Sequence, residues 1–220
     1  MSRLFLEMTG PPGVGKTTLV EATLPRLPGR YLQRADLKEP KNIAGDERLF
    51  DLLRAKLSEA SKMPITPSEK LKQTRYWARK LLLDMAAQSA DADIFLDEGI
   101  VQSFSAALLR LSDADLKAVI GARVTIFVLA RHPATVADRI ALRHENGGKL
   151  HATHRRLDRN QLIRECGNMG DQFRRLYARC HDIGCPALLV ETEDGIDANA
   201  DRIVEMASRL TATQSVAGVE

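Results

Sequence analysis

The sequence predicts a three-layer α/β fold with a roughly five-stranded parallel sheet. Three observations predict it. Short, wholly apolar bursts such as Ile94-Phe95-Leu96 and Val124 to Leu129 have the character of strands buried on both faces. Longer segments of helical periodicity separate them, the alternation that gives parallel strands with right-handed crossovers. The 220 residues, 44% hydrophobic and 28% charged, fit one such domain with a sizeable core and leave no room for a second.

The elements follow in order. Leu4, Phe5, Leu6 and Met8 form a first strand that breaks at Gly10, and a helix opens after the glycine-rich segment and stops near Pro25 and Pro28-Gly29. Tyr31 and Leu32 begin a second strand. Leu49, Leu52, Leu53 and Leu57 recur at helical intervals up to about Ala60. Thr66-Pro67-Ser68-Glu69 reads as a capping box with proline at the first helical position, which predicts a helix from Pro67 to about Ser89.

The third strand falls within Ala92 to Asp97, where Ile94, Phe95 and Leu96 follow one another and the apolar burst ends in two carboxylates, Asp97 and Glu98. Helices over Val101 to Leu111 and Asp113 to Ile120 come next, the second capped by Ser112. After the strand Val124 to Leu129, Pro133 opens a helix through Arg143. A long helix carries Leu162, Cys166, Phe173, Leu176 and Cys180, Ala187 to Val190 is the last strand, and Ala198 to Leu210 the last helix. The expected organisation is one domain over residues 1–210, a lid-like segment near 144–160 and a flexible tail over 211–220.

Composition narrows the function classes. A net charge of +3 is too small to imply nucleic acid binding without a concentrated basic face. From Arg131 to Asp182, however, eleven Lys and Arg stand against six Asp and Glu, and all five histidines lie in that interval, so something anionic is expected to dock there. Cys166, Cys180 and Cys185 have no zinc-site spacing and read as structural thiols; His151 and His154 lack a third ligand. No stretch approaches the roughly 20 apolar residues that cross a bilayer, and Met1 to Thr9 lacks the long apolar core of a signal peptide. A reducing cytoplasm is the expected address; whether the chain works alone or as a homodimer stays open.

Gly10-Pro11-Pro12-Gly13-Val14-Gly15-Lys16-Thr17 matches G-x-x-x-x-G-K-[ST] at every defined position, between an apolar strand and a helix. Glycines let the loop turn its backbone N–H groups around phosphates, and the helix N-terminus adds its positive dipole end. Lys16 neutralises the β- and γ-phosphates of ATP, Thr17 offers a hydroxyl to Mg²⁺, and Thr18 follows in the first turn of the helix. The expected fold is thus a P-loop NTPase fold with ATP and Mg²⁺ as cofactors.

Asp97 and Glu98 end a strand where such folds place a metal-binding acid. Side chains alternate faces along a strand, so one faces the metal while the other can accept the proton of an acceptor hydroxyl. Asp97 is favoured for the metal, with Glu98 competing. Arg139 and Arg143 share a helix face, and with Arg155, Arg156 and Arg159 they make a candidate lid over the triphosphate. On the acceptor side stand Asp36, Glu39 and Pro40, then Gln73, Arg75, Tyr76 and Trp77. Arg75 is favoured because a charge on a largely buried helix needs a partner, whereas Trp77 reads as core.

With these pieces in order, the chain resembles the P-loop nucleoside and nucleotide kinase group, thymidylate kinase-like enzymes in particular. Lys38-Glu39-Pro40 is similar to the Arg-Glu-Pro element of thymidylate kinases, and Asp97-Glu98-Gly99 with Ser103 to their Asp-Arg-Tyr segment and following serine. The segment Asp138 to Arg143 is similar to the helix entering the lid of adenylate kinase-like folds. That resemblance implies that Arg139 contacts the base and Arg143 the phosphates. Glu98 replaces the arginine that meets the acceptor's phosphate in monophosphate kinases. The expected activity is therefore Mg²⁺-dependent transfer from ATP to a hydroxyl of a small molecule such as a nucleoside, sugar or antibiotic. The alternatives are a nucleoside monophosphate kinase and, in another class, an ATP-hydrolysing switch acting on a protein partner. No N-K-x-D guanine-reading motif is present, and the intact Lys16, Thr17 and Asp97 speak against a binding module without catalysis.

Overall fold

A computed structural model of the chain describes residues 3–37, 47–147, 154 and 157–217. Among them four parallel strands form one sheet in the order β2-β1-β3-β4: β1 is Phe5–Thr9, β2 Ile94–Leu96, β3 Val124–Leu129 and β4 Ala187–Glu191. The fifth strand expected at Tyr31 and Leu32 shrinks to a single bridge. Leu32 donates to the Asp93 carbonyl at 2.8 Å and accepts from Phe95 N–H at 2.9 Å. The chain then bends away in a turn closed by Asp36, whose carboxylate accepts from Gln33 N–H at 2.8 Å. A side chain that stabilises a turn competes with the ladder, and here the turn wins.

Helices cover both faces, as expected of three layers. They are α1 (Lys16–Thr23), α2 (Glu47–Lys62), α3 (Pro67–Ser89), α4 (Ile100–Leu108), α5 (Asp113–Ile120), α6 (Pro133–Glu145), α7 (Arg159–Asp182) and α8 (Ile196–Ala217). Alternation along the strands divides the core. Leu6, Met8, Ile126 and Val128 pack with residues of α1, α6, α8 and the first half of α7, whereas Phe127 and Leu129 pack with α2, α4, α5 and the second half of α7.

Helix boundaries follow local chemistry. The Thr66–Glu69 capping box forms in both directions, so α3 spans the predicted residues. Ser112 caps α5 by accepting from Asp115 N–H at 3.1 Å. Helix α4 stops at Leu108 rather than Leu111, because Arg179 reaches across from α7 to its last carbonyls, Leu109 O at 2.9 Å among them. Helix α8 runs past the expected Leu210 boundary to Ala217, through part of the segment read as a tail.

One buried ionic group ties these layers together. The Arg123 guanidinium donates to Glu7 Oε2 at 2.7 Å and to Asp84 Oδ2 at 3.0 Å, and all three side chains are inaccessible to solvent. Burial opposes the charge of Arg123, but the Asp84 and Glu7 carboxylates outweigh it and hold the guanidinium firmly protonated. The other Glu7 oxygen accepts from Val101 N–H at 2.7 Å, in the first turn of α4. A side chain at Gly99 would strike that carboxylate, since an added Cβ would meet Glu7 Cδ at 2.5 Å. Strand β1, helix α3, the start of β3 and the turn after β2 are thus fixed to one cation.

Arg123→Met leaves two carboxylates facing each other in the core. Removing one partner from a buried ionic group costs about 3–5 kcal/mol, so denaturant unfolding at pH 7 should show a loss of that size. The orphaned carboxylates favour their protonated forms in the folded state. Their raised native pKa makes the variant relatively more stable at pH 5 and weaker as pH rises. A loss below about 1 kcal/mol at pH 7 contradicts the role given to this group.

Candidate functional site

Strand β1 delivers the chain into Gly10 to Gly15 and the N-terminus of α1, and the loop's shape depends on glycine where Cβ atoms cannot fit. Gly10 lies against β3, where an added Cβ would come within 2.0 Å of the Val128 carbonyl oxygen. Gly13 has φ +81°, and its Cβ would meet Ile140 Cγ1 at 2.6 Å. The loop's first amide is pinned from α4. Gln102 Oε1 accepts from Gly10 N–H at 2.8 Å and from the Thr9 hydroxyl at 3.1 Å. Sequence reasoning missed Gln102, because a glutamine on an apolar helix carries no distinctive signal.

Lys16 turns back under the loop it follows. Its ammonium is 7% exposed, donates to Gly10 O at 2.8 Å and Pro11 O at 3.1 Å, and faces Glu98 Oε1 at 3.6 Å. Burial lowers its pKa; Glu98 and, more weakly, Asp97 work against that, while Arg143 adds to it. Lys16 therefore shares a local field with both candidate acids and with the helix α6 arginine. Thr17 and Thr18 are exposed in the first turn of α1.

Beside the loop opens a cavity of about 260 Å³. Gly13, Gly15 and Thr18 form one wall, Arg139 and Arg143 another, and Thr192, Gly195 and Asn199 a third. Arg139 also donates weakly to Val14 O at 3.4 Å. The third wall is the turn between β4 and α8, which the sequence did not single out. Arg131 holds it, its main-chain N–H donating to Glu193 at 2.9 Å and its guanidinium to Glu191 and Asp194. Asn199 donates to Glu191 O at 2.6 Å from the α8 side.

Lys16 also faces a charged chamber at the end of β2. Asp97 and Glu98 are partly exposed there. Lys80 of α3 is 2% exposed, donates to the Glu98 main-chain carbonyl, and places its ammonium 3.9 Å from Glu98 Oε2 and 5.4 Å from the Tyr76 ring centre. Burial pushes Lys80 down to about 8; Arg34 pushes the same way, while Glu98 and Asp97 oppose it. It is therefore still mostly charged at neutral pH. Ser103 stands on α4 in reach of Tyr76.

Several acceptor-side expectations shift. Arg75 is exposed, so the argument that a buried charge on α3 needs a partner transfers to Lys80, which the sequence reading passed over. Trp77 is buried core, packed with Leu49, Leu52 and Ile100. Asp36 closes a turn on the surface. Arg159, expected in the lid, pairs instead with Asp138 of α6 at 2.9 Å. Glu39, with Lys38 and Pro40, lies outside the described residues, as do residues 148–153 of the expected lid, His151 among them, and Arg155 and Arg156.

Among the described residues no three His, Cys, Asp or Glu side chains gather into a metal cage. Magnesium at a nucleotide needs none, because phosphates and waters supply most of its oxygens. The Thr17 hydroxyl and the Asp97 carboxylate fit that role by donor type.

No protein-family model and no curated protein matches this chain. In three dimensions it is similar to a deoxyadenosine kinase from M. mycoides with bound dCTP, at 14% identity and a TM-score of 0.50, covering 94% of this chain and 100% of that one. It is also similar to the M. mycoides deoxyadenosine kinase with bound dATP, at 15% identity and a TM-score of 0.47, over 92% and 98% of the two chains. At such identity the likeness to the dCTP-bound structure establishes a shared α/β fold over nearly the whole chain and nothing finer.

Gly13→Ala tests the loop geometry. The variant loop must relax away from Ile140 and from positive φ, and binding must then restore a conformation strained by about 1–3 kcal/mol. Calorimetry should show ATP affinity reduced roughly tenfold with helix content unchanged; unaltered affinity contradicts the phosphate-cradle geometry.

Proposed function

We propose that the chain is a Mg²⁺-dependent phosphotransferase that moves the γ-phosphoryl group of ATP to a hydroxyl of a small molecule, with a nucleoside the first acceptor to try. One observation carries the reading. The Lys16 ammonium is buried beneath its own glycine loop and faces the Asp97–Glu98 pair, while a cavity of about 260 Å³ opens beside the same loop. The shared fold with a deoxyadenosine kinase supports a nucleoside as acceptor.

In this reading the base enters the cavity between Arg139 and the turn at Thr192 to Gly195, and the triphosphate runs along the loop to Lys16. Thr17 and Asp97 would hold Mg²⁺, which would supply positive charge to offset that of the phosphates. Arg143 and Lys16 stabilise charge on the phosphoryl oxygens as they separate from ADP. The acceptor oxygen forms its bond to phosphorus while the bond from phosphorus to the β–γ bridging oxygen breaks. Glu98 accepts the hydroxyl proton. Water exclusion falls to the segment after α6, where a lid remains part of the proposal.

A monophosphate acceptor is the second reading, favoured by one observation: Arg34 and Lys80 bring positive charge to the acceptor chamber. A cytoplasmic address belongs to the same proposal. It is supported by three buried free cysteines and by the absence, among the described residues, of any helix long and apolar enough to cross a membrane.

The test is an acceptor screen with ATP and Mg²⁺ over deoxynucleosides, ribonucleosides, sugars, aminoglycosides and nucleoside monophosphates. ADP release should rise sharply with one hydroxyl class, and Lys16→Ala should lower that rate at least about 10²-fold with the fold intact. Transfer that survives Lys16→Ala unchanged contradicts the assignment, and transfer to monophosphates alone replaces the first reading with the second.

A further inference from the structure

Glu98 stands between two lysines. Its Oε1 lies 3.6 Å from Lys16 Nζ and its Oε2 3.9 Å from Lys80 Nζ, so one carboxylate bridges the loop ammonium and an ammonium from α3. Lys80 is more deeply buried than Lys16, and Glu98 between them is 36% exposed. An apolar side chain would pack at position 80 without the desolvation cost of a charge. The ammonium therefore needs a reason to be there.

An ammonium has three donors. Lys16 gives two to Gly10 O and Pro11 O and turns the remaining charge toward Glu98. A triphosphate arriving at Lys16 competes with Glu98 for that charge. A carboxylate displaced in a partly buried chamber is costly unless a second cation takes it, and Lys80 is already anchored to the Glu98 main chain. Besides Glu98, Lys80 feels the charges of Arg34, Asp97 and Glu7, one positive and two negative.

We propose that Lys80 is the positioning residue of this site: when a triphosphate engages Lys16, Lys80 retains the Glu98 carboxylate on the acceptor side of the chamber. The proposal rests on the kinase reading above. It makes donor binding and the arrangement of the proton acceptor one coupled event. It also explains how a site with glutamate after the strand-end aspartate keeps a fixed positive charge there, supplied from α3.

The experiment measures binding of an ATP analogue with a non-hydrolysable β–γ bridge, by calorimetry, so no acceptor is needed. Lys80→Met should weaken analogue binding roughly three- to tenfold, because Glu98 falls back on Lys16. Lys80→Arg keeps the charge and should stay within about twofold of the native chain. Glu98→Gln removes the competitor and should bind the analogue tighter, and in that background Lys80→Met should have no further effect. An unchanged affinity in Lys80→Met, or the same loss with and without Glu98, overturns the proposal while leaving the kinase reading in place. Should Lys80→Met not fold, Glu98→Gln alone decides, and an affinity no tighter than native overturns the competition on which the handover depends. Failure of the native chain to bind the analogue overturns the kinase reading, and this proposal with it.

Discussion

A buried positive charge governs this structure. Lys16 is buried under the loop that precedes it, held by two main-chain carbonyls and one distant carboxylate. Carbonyl dipoles and a carboxylate at 3.6 Å solvate an ammonium less well than water does, which is why burial still lowers its pKa. In the proposed function an anion with several oxygens takes the place of these partners. The fold keeps the charge there because the glycines at 10 and 13 stand where β3 and α6 leave no space for a side chain.

The rest of the molecule reads as support for that arrangement. The Arg123 group locks β1 to α3 and to the first turn of α4, so the strand that feeds the loop and the turn that carries Asp97 and Glu98 cannot drift apart. Gln102 then fixes the first amide of the loop from the same helix. Across the sheet, Arg131 and Asn199 hold the turn after β4 that closes the cavity. A buried ionic group is a weak source of stability, and the value of the Arg123 group is positional: it joins elements distant in sequence at one point.

Much of this was legible in the chain. The loop, the capping box at Thr66 and the cap at Ser112 follow from local spacing, because turns and helix ends are settled by neighbours a few residues away. The layered parallel sheet was legible from the apolar bursts, apart from Tyr31 and Leu32, where Asp36 draws the chain into a turn. What escaped notice depends on tertiary partners. Glu7 and Arg123 sit at opposite ends of no recognisable pattern, and Lys80 differs from Arg75 only in which face of α3 it occupies. Periodicity marks that face weakly in a helix whose polar and apolar residues are mixed all round. Arg159 likewise reads as a lid arginine until Asp138 is seen beside it.

The most direct measurement is a crystal structure with Mg²⁺ and a non-hydrolysable ATP analogue. The account predicts β- and γ-phosphates inside the curve of residues 10–17, the Lys16 ammonium withdrawn from the Gly10 and Pro11 carbonyls onto the phosphates, and the base in the cavity beside Arg139. A nucleotide bound elsewhere, with Lys16 still on those two carbonyls, would contradict it.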